Sequence, residues 1–548
     1  GVPLNEVQCT PQEDFEKIFQ QARTAQVEWR EKSFSERAKY IQKVKKYLVA
    51  HAEEAAEIVS KANGKTRVDA LATEVVPCTL ACDWYSNNAE RILKLERIPN
   101  GSILFLNKSS FIEYQPVGVV GIISPWNYPL TIPFGEVIMG LMAGNAIVLK
   151  VATPTVTVGS FIERCMEAGG FPKGLFTHIV GGGSQVSKAM FDNSVDKIFF
   201  TGSVGVGKQL MKQAADTLTP LSLELGGKDP MIVCSDANIE RATNCAAWAG
   251  YQNAGQSCGG VERVYVHSSI YEKFVELLAA KTKALRHGID DGNQSVDIGS
   301  MTTKSQLDIV KRHVDDAVAN GAKIVAQSTP VGDVSKGFFY PATLVTNVNH
   351  AMELMREETF GPVIPVMKFE TLDEAIQLAN DSNLALTSSV FTGSNKTGTY
   401  LAKRIQSGVT TINDHLYTHG LSETPWGGWK ESGLGRTHSA LGLREMCNAK
   451  TINYERLPVS LIPRNIWWYP FSDRTYKACL GIVQFVAPKG IVDWFTGVKN
   501  LLPYALGTML NPWSCKGAPV QPRSKLWFVI FGGVVAAVAA TSYVYFNK

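Results

Sequence analysis

Between residues 119 and 225 short apolar runs alternate with stretches of helical period. Val119-Val-Gly-Ile-Ile123, Ala146-Ile-Val-Leu-Lys150, Leu175-Phe-Thr-His-Ile-Val180 and Lys197-Ile-Phe-Phe200 carry almost no charge. A strand buried on both faces reads as such a continuous apolar run, not as an alternating one. Helical segments follow at Glu136 to Ala143, near Val158 to Ala168 and near Gln185 to Phe191. Strand and helix in strict alternation predict a doubly wound parallel sheet. A second series follows from about Val264, with Val264-Tyr-Val266, Ile324-Val325, Tyr340 to Val345 and Gly408 to Asn413. The pattern therefore predicts an α/β protein with two such units.

The flanks read differently. Residues 11 to 62 predict two helices, the first from Asp14 to Trp29 and the second capped by Ser35 and running to Leu48, with Glu36 in its first turn. After the break at Asn63-Gly64-Lys65 a third helix runs from about Arg67 to Leu95, completing an outer layer that shows no chemistry. Beyond Pro458 come the aromatic cluster Trp467-Trp468-Tyr469-Pro-Phe471 and two amphipathic segments. The first is Asp473 to Val486, with Tyr476, Leu480, Val483 and Val486. The second is Pro488 to Leu502, with Ile491, Val492, Trp494, Phe495, Val498 and Leu502 largely on one side. The 21 residues from Leu526 to Phe546 hold no charge, with Arg523 and Lys525 before them and Lys548 after. As a helix they would span about 31 Å, one hydrocarbon core. This predicts a single-pass membrane anchor over 525–547 and an interfacial segment over 457–524. The alternative for both is packing on the main body.

Composition narrows the partners. A chain of 548 residues is too long for one core. A net charge of +4, from 54 basic and 50 acidic residues, gives no reason to expect a nucleic-acid partner. The ten cysteines are scattered singly, which fits a reducing compartment and offers neither a disulfide framework nor a metal site.

Three stretches stand out as chemistry. Cys258, in Gly255-Gln-Ser-Cys258-Gly-Gly260, is a lone thiol among glycines that let backbone approach closely, so it reads as a nucleophile or as a buried structural cysteine. Glu224, in Leu221-Ser-Leu-Glu224-Leu225-Gly226-Gly227-Lys228, is a carboxylate among apolar residues. It reads as a general base of raised pKa or as a salt-bridged strand-end acid. Thr201-Gly202-Ser203-Val-Gly205-Val-Gly207 joins a strand to a helix and can present N–H groups to a phosphate, although its spacing fits no common dinucleotide or phosphate-loop register. Polar or glycine-rich loops at three consecutive strand ends, Gly183 among them, strengthen the nucleotide reading.

Together these motifs resemble the aldehyde dehydrogenase superfamily over roughly residues 10 to 455. Glu224-Leu-Gly-Gly-Lys228 is similar to the family's glutamate signature, and Gly255-Gln-Ser-Cys258, 34 residues on, to its cysteine signature. Pro125-Trp126-Asn127-Tyr-Pro129 and Glu358-Thr-Phe360-Gly-Pro362 match further motifs in the same order. The resemblance implies that Cys258 attacks the aldehyde carbon, and that the Asn127 amide with the Cys258 N–H holds the oxyanion. Glu224 then activates the water that hydrolyses the thioester to a carboxylic acid. For the cofactor, NAD or NADP, it implies Trp126, Lys150, Thr153 and Gly183 on the adenosine side and Thr201, Gly202 and Ser203 at the pyrophosphate. Glu358 and Phe360 fall to the nicotinamide ribose and ring, and Leu225 and Gly226 are further cofactor-binding residues. It further implies a homodimer or tetramer built through strands such as Phe111–Tyr114 and Lys450–Tyr454.

Two departures set expectations of their own. Many NAD-dependent relatives carry a glutamate three residues after the lysine; Thr153 stands there, removing repulsion against a 2′-phosphate, so NADP is expected to be accepted. The C-terminal extension resembles the membrane-bound, fatty-aldehyde branches. That implies a medium- or long-chain aliphatic aldehyde met at a bilayer, with the catalytic body in the cytosol and, in a eukaryote, the endoplasmic reticulum or mitochondrial outer membrane as host. The expected division is an NAD(P)-binding domain at 1–225, a part of the bridging sheet at 107–115, a catalytic domain at 226–447 and a bridging strand at 448–456. An inactive membrane-anchored scaffold and a cofactor-free thiol esterase are the alternatives.

Overall fold

The computed structural model describes residues 6–456 and 464–509, without the side chains of Ile103 and of residues from 503 onward. By internal packing the chain forms two units, Gly1–Lys94 with Tyr114–Ala449, and Leu95–Glu113 with Lys450–Lys548.

The first unit holds two large sheets, besides two of two strands each. In the first, the strand order is Gly433–Leu434, Leu221–Glu224, Lys197–Thr201, Val119–Ile123, Ala146–Lys150 and Phe176–His178. Val120 sits beside both Ile147 and Lys197, and Thr201 beside Glu224. The chain winds outward from Val119–Ile123 through the helices Thr131–Ala143 and Val156–Gly169, then returns to the other side of that strand through Gly183–Asp192. The order therefore reverses between Val119–Ile123 and Lys197–Thr201, and the loops leaving these two strands part to open a crevice. The sheet is not wholly parallel, because Gly433–Leu434 closes its edge antiparallel to Leu221–Glu224. The second sheet has seven strands, with Arg263–His267 and Pro230–Val233 near its centre and only Lys323–Gln327 antiparallel.

The outer layer departs from the sequence expectation in two ways. It has three helices before residue 64, Phe15–Arg30, Phe34–Ala50 and Ala52–Asn63, because His51 leaves the helical region and interrupts the second run. The cap is Ser33, not Ser35. Ser33 accepts from the Glu36 N–H while the Glu36 carboxylate receives the Ser33 N–H at 2.8 Å, a reciprocal box that places Ser35 inside the first turn.

The second unit contributes most of a three-stranded sheet, ordered Glu96–Ile98, Lys108–Pro116, Cys447–Glu455, and two helices, Asp473–Val486 and Ile491–Met509. The helices approach closely at Gly481 and Gly497, where a Cβ would lie 2.5 Å from the partner's backbone nitrogens. Phe485 and Trp494 pack between them, rings 5.8 Å apart. Trp494 is thus turned inward, away from the exposed Val492 and Phe495, so the apolar residues of this helix do not share one side. Among the described residues no helix is long and apolar enough to cross a membrane. The anchor expected over 525–547 lies outside the described residues, as does most of 503–524.

Candidate active site

The crevice at the reversal point deepens into a cavity of about 290 Å³ lined by Trp126, Asn127, Thr201, Gly202, Ser203, Glu224, Leu225, Gly226, Cys258, Glu358 and Phe360. Eleven of the residues singled out in the sequence therefore meet at one place, from strand ends of both sheets. Lys150, Thr153 and Gly183 do not line it. Lys150 is buried beside Gly183, 3.9 Å from where a Cβ would stand, and Thr153 is exposed at the start of a short helical turn.

Cys258 follows a backbone turn that residues other than glycine rarely adopt, with Asn253 and Ala254 at φ 55° and 53°. Gly255 is required next, because a side chain there would collide with the Gly361 carbonyl. A Cβ on Gly259 would lie 2.7 Å from the Trp426 ring. Burial, with Glu358, Asp229 and Glu224 nearby, pushes the Cys258 thiol well above its ordinary value. This disfavours the thiolate, so a base that draws off the proton would be needed for the sulfur to act as a nucleophile.

Glu224 ends a fully buried stretch of its strand. Neither carboxylate oxygen has a hydrogen-bond partner among the described residues. Burial first, then the nearby Glu136 carboxyl, raises its pKa well above the ordinary range, against a weaker pull from Arg436. Once ionised, such a carboxylate binds a proton more strongly than an exposed one, which suits a general base. Glu358 is raised to about 8 by burial and by Glu262, while its Oε1 receives the Gly227 N–H at 3.0 Å. The Asn127 amide donates to the Gln256 carbonyl at 3.2 Å, two residues before the cysteine, so it faces the loop that carries the thiol. Phe360, held at φ 51°, meets Trp126 edge-on at 5.4 Å.

The residues fit a dinucleotide. The helix Val204–Thr217 begins beside the cavity-lining Ser203, which caps its first turn, and a helix N-terminus there would favour an anionic group. Burial lowers the pKa of Lys150.

Comparison with known proteins identifies the family. The model of the aldehyde dehydrogenase family matches residues 1–452. The chain belongs to the aldehyde dehydrogenase family. A 4,4′-diapolycopene aldehyde oxidase of Methylomonas sp is 36% identical over 465 residues, covering 85% of this chain and 86% of that protein. A Mycobacterium ulcerans protein named as an NADP-dependent succinate-semialdehyde dehydrogenase is 34% identical, covering 85% of this chain and 90% of its own length. The crystal structure of betaine aldehyde dehydrogenase from Staphylococcus aureus with NAD+ aligns with a TM-score of 0.77 at 32% identity, over 85% of this chain and 90% of that one. The protein is an NAD- or NADP-dependent aldehyde dehydrogenase. The bound cofactor supplies the acceptor for the hydride that leaves the aldehyde carbon.

Sequence reasoning missed several residues here. Gln306 and Ile309 also line the cavity, from a long polar-faced helix without any motif. Asp229 is fully buried beside the thiol, its Oδ1 receiving the Thr387 N–H at 2.8 Å. Lys65 and Glu74, from the outer layer read as free of chemistry, stand directly behind Asn127. The signal available was a glutamate inside the apolar run Ala72-Thr-Glu74-Val-Val76, nine residues after the lysine.

Proposed function

We propose that Cys258 is the nucleophile, Asn127 with the Cys258 N–H the oxyanion hole, and Glu224 the base that takes the proton of the hydrolytic water. The observation that carries this reading is Glu224 itself, a buried carboxyl without a partner in the same cavity as the thiol. A structural acid in that position would be paired. The product is then a carboxylic acid, not a scaffold function or simple ester hydrolysis. Replacing Cys258 by Ser abolishes reduced-coenzyme absorbance in this reading, and wild-type turnover in that variant would refute it. Thr153 in place of a carboxylate makes NADP an accepted cofactor, and a hundredfold or greater preference for NAD would exclude that.

For the substrate, the proposal is a medium- or long-chain aliphatic aldehyde. The wall of the thiol loop away from the cofactor cavity is aromatic and neutral. Trp426 lies against Gly259, His419 sits between Tyr128, tilted to it at 4.8 Å, and Trp426, edge-on at 5.2 Å, and burial lowers His419 to about 3 and His438 to about 4. The nearby cations are engaged, Lys65 by Glu74 and Arg436 by the Gly428 and Gly435 carbonyls. An uncharged chain suits such a wall better than the carboxylate of a succinate semialdehyde. Decanal should exceed both propanal and succinate semialdehyde in kcat/KM, and the reverse order would sink the assignment.

The proposed setting is a membrane surface, with the 525–547 run as anchor, the body on the cytosolic side, and a dimer or tetramer as the working form. Exposed apolar side chains support it: Tyr476, Leu480, Val483 and Val486 form one open stripe, and Val492, Phe495, Trp468, Tyr469 and Phe471 are also open to solvent. Deleting 524–548 should move active enzyme from the membrane fraction to the soluble one. Unchanged sedimentation with membranes would assign attachment to the helical pair.

A further inference from the structure

Behind the oxyanion hole lies an ion pair sealed from solvent. Lys65 Nζ meets Glu74 Oε1 at 2.6 Å, with both side chains fully buried. Taking two such charges out of water costs several kcal/mol per ion, and an apolar pair of equal volume would fill the space without that cost. Stability alone therefore explains the pair poorly. Its remaining hydrogen bonds all go to one segment. The Lys65 ammonium donates to the Asn127 carbonyl at 2.9 Å and stands 4.2 Å from the centre of the Tyr128 ring. Glu74 Oε2 receives the N–H groups of Leu130 and Thr131 at 2.8 and 2.9 Å. From the same turn, Asn63 donates to the Trp126 carbonyl at 3.0 Å. The segment 126–131 is thus held from behind at five of its six residues.

A second pair repeats the arrangement across the cavity. Lys228 meets Glu262 at 2.5 Å, Glu262 receives the consecutive N–H groups of Thr359 and Phe360 at 2.9 and 2.8 Å, and Lys228 also reaches the Thr359 hydroxyl. In each case one carboxylate takes two adjacent backbone donors of a cavity loop, and the lysine donates to the same loop. The recurrence marks a device for fixing loops.

We propose that the Lys65–Glu74 pair is a positioning element for catalysis: by fixing the backbone of residues 127–131 it aims the Asn127 amide at the oxyanion. The inference rests on Asn127 serving as the oxyanion donor. Misplacing a catalytic group by about 1 Å can cost about 10²-fold in rate. Because the oxyanion is absent from the bound aldehyde and develops only during reaction, kcat and kcat/KM should fall together.

Three variants of the full-length enzyme test this. Lys65→Met should lower kcat and aldehyde kcat/KM alike, by about 30- to 100-fold. Glu74→Gln keeps volume and one acceptor oxygen, and should cost about tenfold. Lys65→Met with Glu74→Met removes both charges, and should recover thermal stability without recovering rate. In all three, coenzyme affinity and the rate of inactivation by iodoacetamide should stay within twofold of wild type, since alkylation needs the thiol but forms no oxyanion. A double variant or a Glu74→Gln enzyme within threefold of wild-type kcat overturns the proposal. So does a loss of iodoacetamide reactivity or coenzyme affinity matching the loss of rate, which would mean general damage to the fold. Asn127→Ala is measured alongside. Wild-type turnover there would remove the oxyanion assignment itself and with it the premise, whereas a slow Asn127→Ala with fast pair variants refutes the positioning role alone.

Discussion

Carboxylates facing the cavity and carboxylates behind it are treated in opposite ways. Glu224 is buried with no donor and the half-buried Glu358 takes one backbone N–H, and both are held above the ordinary carboxylate range. Glu74 and Glu262, both buried, each hold a lysine and two backbone N–H groups. The same residue type is left needy where a proton has to move and is fully satisfied where a loop has to stay still. Burial alone therefore does not distinguish a reacting acid from a structural one. The number of partners does.

Substitutions can break this contrast at several strengths. The largest effect belongs to the thiol: Cys258→Ser should lower aldehyde oxidation by about 10³-fold or more while coenzyme titration stays normal. Glu224→Gln should cost about 10²- to 10⁴-fold in kcat and leave the first-turnover burst, with thioester detected by mass spectrometry. Because the Glu224 carboxyl lies above the ordinary range, wild-type kcat should climb with pH through that raised value, and the climb should vanish in Glu224→Gln. On the satisfied side, Lys228→Met leaves Glu262 buried and unpaired. It should destabilise the protein by about 3–5 kcal/mol in denaturant titration and loosen the 358–360 loop.

Glu136 sharpens the contrast from within the body. It sits on the buried helix Thr131–Ala143 with one oxygen unpartnered, and burial lifts it from 4.5 to about 8. Between those values the folded state binds a proton that the unfolded chain has released, so stability falls as pH rises. Glu136→Gln should therefore gain stability over wild type at pH 8 and little at pH 5, read from melting curves. The smallest effect is at the surface. Lys188→Ala removes an exposed pair with Asp192 and should change stability by at most about 0.5 kcal/mol.

Much of this was legible in the chain. Continuous apolar runs such as Val119–Ile123 and Ala146–Lys150 announced the first sheet, because strands buried on both faces leave no polar register to confuse. The cavity residues were legible through glycines, since close approach at Gly226, Gly255 and Gly259 leaves a mark in sequence. The partners of the cavity left less trace. Lys65 comes from the turn after Ala52–Asn63 and Glu74 from the helical stretch that follows, and only tertiary packing turns both inward. Ser33 was overlooked because Ser35 also precedes a polar-apolar period, and only the reciprocal bond to Glu36 decides between them. The inward turn of Trp494 depends on the glycine pair Gly481 and Gly497, whose contact joins two helices and cannot be seen in either alone.

The two-residue strand Gly433–Leu434 carries a consequence for the order of events during synthesis. It completes the edge beside Leu221–Glu224, yet it is translated 209 residues after Glu224. A nascent chain that has already made the cofactor loops and the thiol still has an open edge next to its base. The catalytic pocket is thus sealed late, when nearly all of the body has left the ribosome. Fragments ending before residue 433 would present that bare edge to each other, a route to aggregation and not to partial activity.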